Sequence, residues 1–118
     1  MAEAALFIGW GQVVRGREER ALQVLNESVE YWGGLQSDGK IESFEVVLLE
    51  PHGGDLAGFA LLRGSRDQIG TLRMDEEFER RTARADLIVE SQGVVGALVG
   101  EGLERGIGIY QSEVSDLG

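Results

Sequence analysis

The stretch that decides the fold is residues 41–63, IESFEVVLLEPHGGDLAGFALLR. Two apolar, β-prone runs, residues 41–50 and 56–63, flank a five-residue loop that contains Pro51 and two glycines. Proline cannot join a strand ladder and glycine tolerates positive φ, so the chain must turn between the runs. This spacing predicts a β-hairpin.

Both faces of the predicted hairpin carry apolar side chains. The first strand presents Phe44, Val46 and Leu48 on one face and Val47 and Leu49 on the other, and the second strand presents Leu56, Ala60 and Leu62 opposite Phe59 and Leu61. An antiparallel sheet with one face in water would alternate apolar and polar residues. We therefore expect both faces of this sheet to be covered.

The segments before the hairpin predict a strand and a helix. Residues 5–14 (ALFIGWGQVV) form an apolar run too short for a comfortable helix, which favours a strand. Residues 17–36 predict a helix, because apolar side chains recur at spacings of three and four. This stripe comprises Ala21, Leu22, Leu25, Ser28, Val29 and Trp32.

The segments after the hairpin predict a helix in two pieces and then strands. Ser65 and Gln68 have the spacing of a capping box, and Asp75 is a suitable cap for a restarted helix that continues to residue 90. Residues 94–99 and 103–114 favour strands around a glycine turn, although residues 94–99 could instead extend the second helix.

The order strand, helix, strand, strand, helix, strand predicts one α+β domain over residues 1–118, with the ferredoxin-like βαββαβ topology. Its four-stranded antiparallel sheet would carry both helices on one face. The second apolar face then needs another partner, and an identical chain is the simplest one, since most oligomers are symmetric homodimers. The sequence therefore predicts a homodimer.

Residues 72–78, LRMDEEF, resemble the signature at which the second helix breaks and restarts in the dimeric α/β-barrel superfamily. That superfamily includes antibiotic-biosynthesis monooxygenases, muconolactone isomerases and stress-responsive domains. The resemblance implies that two chains pack sheet to sheet into a barrel, with a ligand pocket between the sheet and helices of each. It also implies activities that range from cofactor-free oxygenation and isomerisation to haem degradation. Haem-binding relatives place a histidine on the second helix, where this chain has none.

Composition excludes several classes of function. The chain has 21 acidic and 11 basic residues, a formal charge of −10, so nucleic acid and anionic membranes would be repelled. The absence of cysteine excludes disulfides and thiolate metal sites. With one histidine, His52 in the loop, we expect no haem, metal or other cofactor. The lack of an apolar span or basic leader predicts a cytoplasmic location.

The candidate ligand-binding residues are Trp10, Tyr31, Trp32 and His52. Trp10 and Trp32 lie on faces that should meet between sheet and helix, where two indoles could hold a flat aromatic molecule or simply fill the core. Tyr31 could add a hydroxyl group, and His52 is the one available imidazole, although an exposed loop position explains it equally well. No catalytic residue can be assigned. The alternatives are a small-molecule binding protein, a cofactor-independent monooxygenase or isomerase, and a structural dimerisation module.

Overall fold

Eight elements follow one another along residues 2–118, the part of the chain that the computed structural model describes. They are β1 (Ala4–Trp10), α1 (Glu18–Ser37), β2 (Ser43–Leu48), β3 (Gly58–Gly64), α2 (Arg66–Arg73), α3 (Glu76–Asp86), β4 (Gly93–Leu98) and α4 (Gly100–Leu117). Up to β4 this is the predicted βαββαβ order, with the second helix divided into α2 and α3.

The four strands form one antiparallel sheet in the order β2-β3-β1-β4. The predicted hairpin is present, since β2 pairs with β3 from Ser43↔Arg63 to Leu48↔Gly58. Strand β1 occupies the centre, where it pairs with β3 on one side and β4 on the other. The predicted ferredoxin-like fold class is thus confirmed.

The inner face of the sheet, against which α1, α2 and α3 pack, carries the main core. Leu6 of β1 and Leu62 of β3 are paired across the strands, and both are fully buried. They pack in one cluster with Trp32 of α1, Leu72 of α2 and Phe78 of α3. Full burial of such a side chain stabilises the fold by about 1.5–3 kcal/mol, so this cluster holds the helices to the sheet.

The outer face of the sheet, defined by Phe7, Phe59, Leu61 and Val95, is also apolar. The strand registers place these side chains opposite the inner-face residues, and the Phe7 and Phe59 rings stack with centroids 5.1 Å apart. Val95, on the edge strand β4, is 55% exposed. The apolar pattern of the hairpin therefore correctly predicted a sheet with apolar side chains on both faces.

Side-chain caps start both α2 and α3. The Ser65 hydroxyl accepts from the Gln68 N–H at 3.1 Å, and the Gln68 side-chain oxygen accepts from the Ser65 N–H at 2.8 Å, which completes the predicted capping box. Asp75 then starts α3 by accepting from the Phe78 N–H at 3.1 Å. Each cap contributes about 1 kcal/mol to its helix.

The prediction for the C-terminal segment was half wrong. Residues 94–99 form the expected strand, β4, but residues 103–114 belong to the helix α4. Ile107 and Ile109 alternate with Gly106 and Gly108, which imitates the period of a strand. Over a longer window, Leu103, Ile107, Tyr110, Val114 and Leu117 recur at steps of four and three, the period of a helix.

Within residues 2–118, no helix has the length and hydropathy needed to cross a membrane.

Helix α4 begins with a close backbone approach that depends on glycine. A Cβ atom on Gly102 would overlap the carbonyl oxygen of Glu3, at the start of β1. Gly108, one and a half turns further along, has nothing within 4 Å of the position its Cβ would take. Gly102 is therefore required for packing, whereas Gly108 is not.

We predict opposite effects of alanine at these two glycines. Gly102→Ala should lower the free energy of unfolding by about 1–3 kcal/mol, since overpacking must push α4 away from Glu3. Gly108→Ala should raise it by roughly 0.5–1 kcal/mol through helix propensity. Urea unfolding of both variants measures the difference, and equal effects would contradict the packing described for Gly102.

Candidate ligand-binding site

A cavity of about 490 Å³ lies at the C-terminal end of β1, between the sheet and helices α1 and α3. It is partly open to solvent, and its lining is mainly apolar. The cavity separates two core clusters. Ile8, Trp32 and Phe78 belong to the main core, while Ala21, Val24 and Ile88 belong to a smaller cluster between α1 and the end of α3.

Both tryptophans line this cavity. Trp10 is the last residue of β1 and is half-buried, whereas Trp32 of α1 is only 6% exposed and packs beside Phe44 with ring centroids 6.1 Å apart. Gly58 pairs with Trp10 across the sheet, and a Cβ there would lie 2.9 Å from the indole atom Cζ2. The sheet therefore makes room for Trp10 by placing glycine opposite it.

A few uncharged polar groups accompany the apolar walls. Ser28 of α1, Thr82 of α3 and Gln92 just before β4 all line the cavity. The Thr82 hydroxyl donates to the Phe78 carbonyl at 3.0 Å, and the Gln92 side-chain N–H donates to the Thr82 carbonyl at 3.0 Å. The amide oxygen of Gln92 and the hydroxyl of Ser28 can still bond a ligand. Ser28 lies on the predicted α1 stripe, but its spacing alone does not indicate that role.

The charged side chains of the lining are engaged with the protein itself. The Glu18 carboxylate accepts from the Gly16 N–H at 3.0 Å, and Arg81 bonds Glu77 at 2.7 Å. Among residues 2–118, no three His, Cys, Asp or Glu side chains cluster so that they could hold a metal ion.

Tyr31 lies outside the cavity, although it is adjacent to Trp32 in sequence. It lines a separate surface depression, where the Arg81 guanidinium lies 4.8 Å from the centre of its ring. Its hydroxyl group is buried and lacks a hydrogen-bond partner within the described chain. Burial, reinforced by the carboxylates of Asp75 and Glu77 and opposed by Arg81, raises the pKa of Tyr31 to about 12.

His52 also lies outside the cavity. It occupies the exposed loop between β2 and β3, where its Nδ1 atom is 2.9 Å from the Glu50 carbonyl oxygen. The structure thus brings together two of the four candidate residues, Trp10 and Trp32, and leaves Tyr31 and His52 elsewhere.

Three arginines of α3 form ion pairs with carboxylates. Arg80 bonds Glu76 at 3.1 Å, one helical turn away, and the Arg81–Glu77 pair repeats that spacing. Arg84 instead reaches across to Glu27 of α1 at 3.0 Å. Such exposed pairs each contribute at most about 1 kcal/mol, but the last one ties α3 to α1 beside the cavity.

The Tyr31 environment predicts an unusual titration. In a Tyr110→Phe variant Tyr31 is the one remaining tyrosine, and its near-ultraviolet absorbance should report ionisation with a midpoint at about 12 rather than 10.0. The unfolded chain ionises first, so protein stability should fall as pH rises from about 10 to 12. Tryptophan emission serves as the control for folding. Ionisation near pH 10 in the folded variant would contradict the prediction.

Comparison with known proteins identifies the fold. The sequence matches no protein-family model and no curated protein. Among solved structures, a dimeric protein of unknown function and ferredoxin-like fold from Bacteroides fragilis is 19% identical, with a TM-score of 0.58, and the match covers 81% of this chain and 96% of that one.

Two further solved structures are similar. A point variant of SnoaB, a cofactor-independent oxygenase from Streptomyces nogalater, is 10% identical with a TM-score of 0.59, over 83% of this chain and 94% of SnoaB. A candidate antibiotic biosynthesis monooxygenase from Chloroflexus aurantiacus is 15% identical with a TM-score of 0.51, over 82% and 94% of the two chains. The chain therefore has the ferredoxin-like fold that its element order predicted, and it shares this fold with these structures.

Proposed function

We propose that this protein is a homodimer whose subunits each bind one flat, mainly apolar small molecule between Trp10 and Trp32. The observation that carries the proposal is the cavity of about 490 Å³ beside both indoles. Its volume falls within the range of about 300–1,000 Å³ that is typical of small-molecule sites. Aromatic walls provide a large apolar area and a preferred stacking geometry for a planar ring.

The polar groups favour an uncharged ligand. Ser28 and Gln92 can satisfy one or two hydroxyl or carbonyl substituents, whereas Glu18 and Arg81 already bond other groups. A ligand carboxylate would have to displace Glu77 from Arg81. Phenols of two or three fused rings therefore fit the cavity better than aromatic acids.

The outer face supports the homodimer. Phe7, Phe59, Leu61 and Val95 form an apolar surface on the side of the sheet away from α1, α2 and α3. Burial of several hundred Å² on each chain gains on the order of 10 kcal/mol before the costs of association. The Bacteroides fragilis protein, which shares the fold, is dimeric.

Binding is preferred to catalysis because the described part of the lining contains no histidine and a single carboxylate, Glu18. This carboxylate is exposed, and both of its oxygens lie within 3.3 Å of the Gly16 N–H. SnoaB shows that an enzyme with this fold can oxygenate its substrate without a cofactor. A phenol that binds should for this reason also be tested for oxygen consumption, which would support the monooxygenase alternative over simple binding.

Filling the cavity should abolish binding. We expect 1-naphthol to bind the wild-type protein with a negative heat-capacity change, because apolar surface is buried. Ser28→Phe should weaken binding at least tenfold, since its ring would occupy the void. The matched variant Ser28→Ala keeps the space and leaves Gln92 to bond the single hydroxyl of 1-naphthol, so it should bind within about threefold, less than 1 kcal/mol. Isothermal titration calorimetry measures all three. Equal affinities of Ser28→Phe and wild-type protein for 1-naphthol would show that the ligand binds outside this cavity.

Sedimentation equilibrium tests the homodimer independently of any ligand. At micromolar concentration the protein should have a mass near twice the 12.8 kDa of one chain, since the apolar outer face favours association. Ser28→Phe provides the control, because the cavity lies on the inner side of the sheet. A monomer at all accessible concentrations would disprove the proposed assembly.

A further inference from the structure

Helix α4 exposes an apolar seam along its length. The seam consists of Leu103, Ile107, Tyr110, Val114 and Leu117, whose exposed fractions range from 47% to 85%. Steps of four and three residues place all five in one narrow stripe. A stripe with two apolar positions in every seven residues is typical of a helix that packs lengthwise against another protein segment.

The seam is uncovered because α4 extends away from the rest of its own chain. The chain has a radius of gyration of 16.2 Å and a longest dimension of 53 Å, whereas a domain of this length would ordinarily have a radius near 13 Å. Close packing of α4 occurs near its start, where Gly102 approaches Glu3 and Gly106 approaches Leu98.

An unsupported helix of this composition would not persist. Four of its 18 residues are glycine, at positions 100, 102, 106 and 108. Glycine weakens a helix more than any residue except proline, and short helices in water depend on packing of an apolar face. The second half of α4 therefore needs a surface that its own chain does not provide.

We infer that the α4 seam packs against the second subunit of the proposed homodimer and clamps it. This inference depends on the homodimer. Helix α4 starts directly after the edge strand β4, whose Val95 belongs to the outer face. An arm about 27 Å long that leaves the sheet at this edge is long enough to reach a copy packed on the outer face.

Area and symmetry favour a second copy as the occupant. Five large side chains, each about half exposed or more, present on the order of 500 Å², a substantial addition to the roughly 800 Å² per partner in a standard interface. Under two-fold symmetry one association buries both seams.

A membrane surface is a poorer occupant. The polar side of α4 carries Glu101, Glu104, Glu113 and Asp116 but one basic residue, Arg105. Helices that lie on anionic membranes instead carry Lys and Arg on that side.

The test compares seam and off-seam substitutions. Ile107→Asp with Val114→Asp should raise the dimer dissociation constant at least 100-fold in sedimentation experiments. Ile109→Asp is the matched control, because Ile109 is 59% exposed but lies roughly a third of a turn from the seam. It should change the constant less than threefold. Tryptophan emission verifies that the sheet and inner helices remain folded in every variant.

Amide hydrogen exchange tests the same contact without substitution. Amides of residues 107–117 should be protected in the wild-type dimer and lose protection on dilution into the monomer. A wild-type dimer whose α4 amides exchange freely, or a seam variant that dimerises normally, would overturn the clamp and leave the homodimer standing. A monomeric wild type would overturn both. Protection that appears only with phosphatidylglycerol vesicles would assign the seam to a membrane instead.

Discussion

The antiparallel register between β1 and β3 determines where every inner-face side chain lies, because alternate side chains of a strand point to opposite faces. The pair Leu6↔Leu62 lies in the main core, and the same register ends at Trp10↔Gly58. A slip of one residue would move Phe7 into the core and remove Trp10 from the cavity. The site between sheet and helices therefore follows from the packing that stabilises the fold.

Small residues and two separate clusters keep the cavity open. Ala21 and Ala85 face it from α1 and α3, and Ala57 lies beside the sheet. The smaller cluster, which contains Ala21 and packs against Ala85, and the Arg84–Glu27 pair hold α3 against α1. The walls of the cavity are mainly apolar and partly exposed to water, so an apolar ligand that covers them would stabilise the folded state. The space between the sheet, α1 and α3 therefore has the form of a site that a bound ligand would fill.

Structure could be predicted from the sequence wherever a clear periodicity of apolar residues or a local hydrogen bond determines it. The sequence was sufficient to predict the hairpin, the two helix caps and the break between α2 and α3. It also predicted that Trp10 and Trp32 lie on faces that come together between sheet and helix. Tyr31 lies in the separate surface depression rather than the cavity, because its side chain points about 100° around α1 from that of Trp32. Helix α4 was missed because Gly106 and Gly108, which alternate with Ile107 and Ile109, concealed its helical period. The hydrogen-bonding groups Thr82 and Gln92 come together through tertiary structure, which no local pattern reveals.

Alternation along β1 also separates ligand binding from assembly. Even-numbered residues such as Ile8 and Trp10 face the cavity, whereas Phe7 faces the opposite side with Phe59. A ligand on the inner face and a partner on the outer face therefore do not compete for the same side chains. The two functions proposed for this small domain are thus compatible, since each one uses its own face of the central strand.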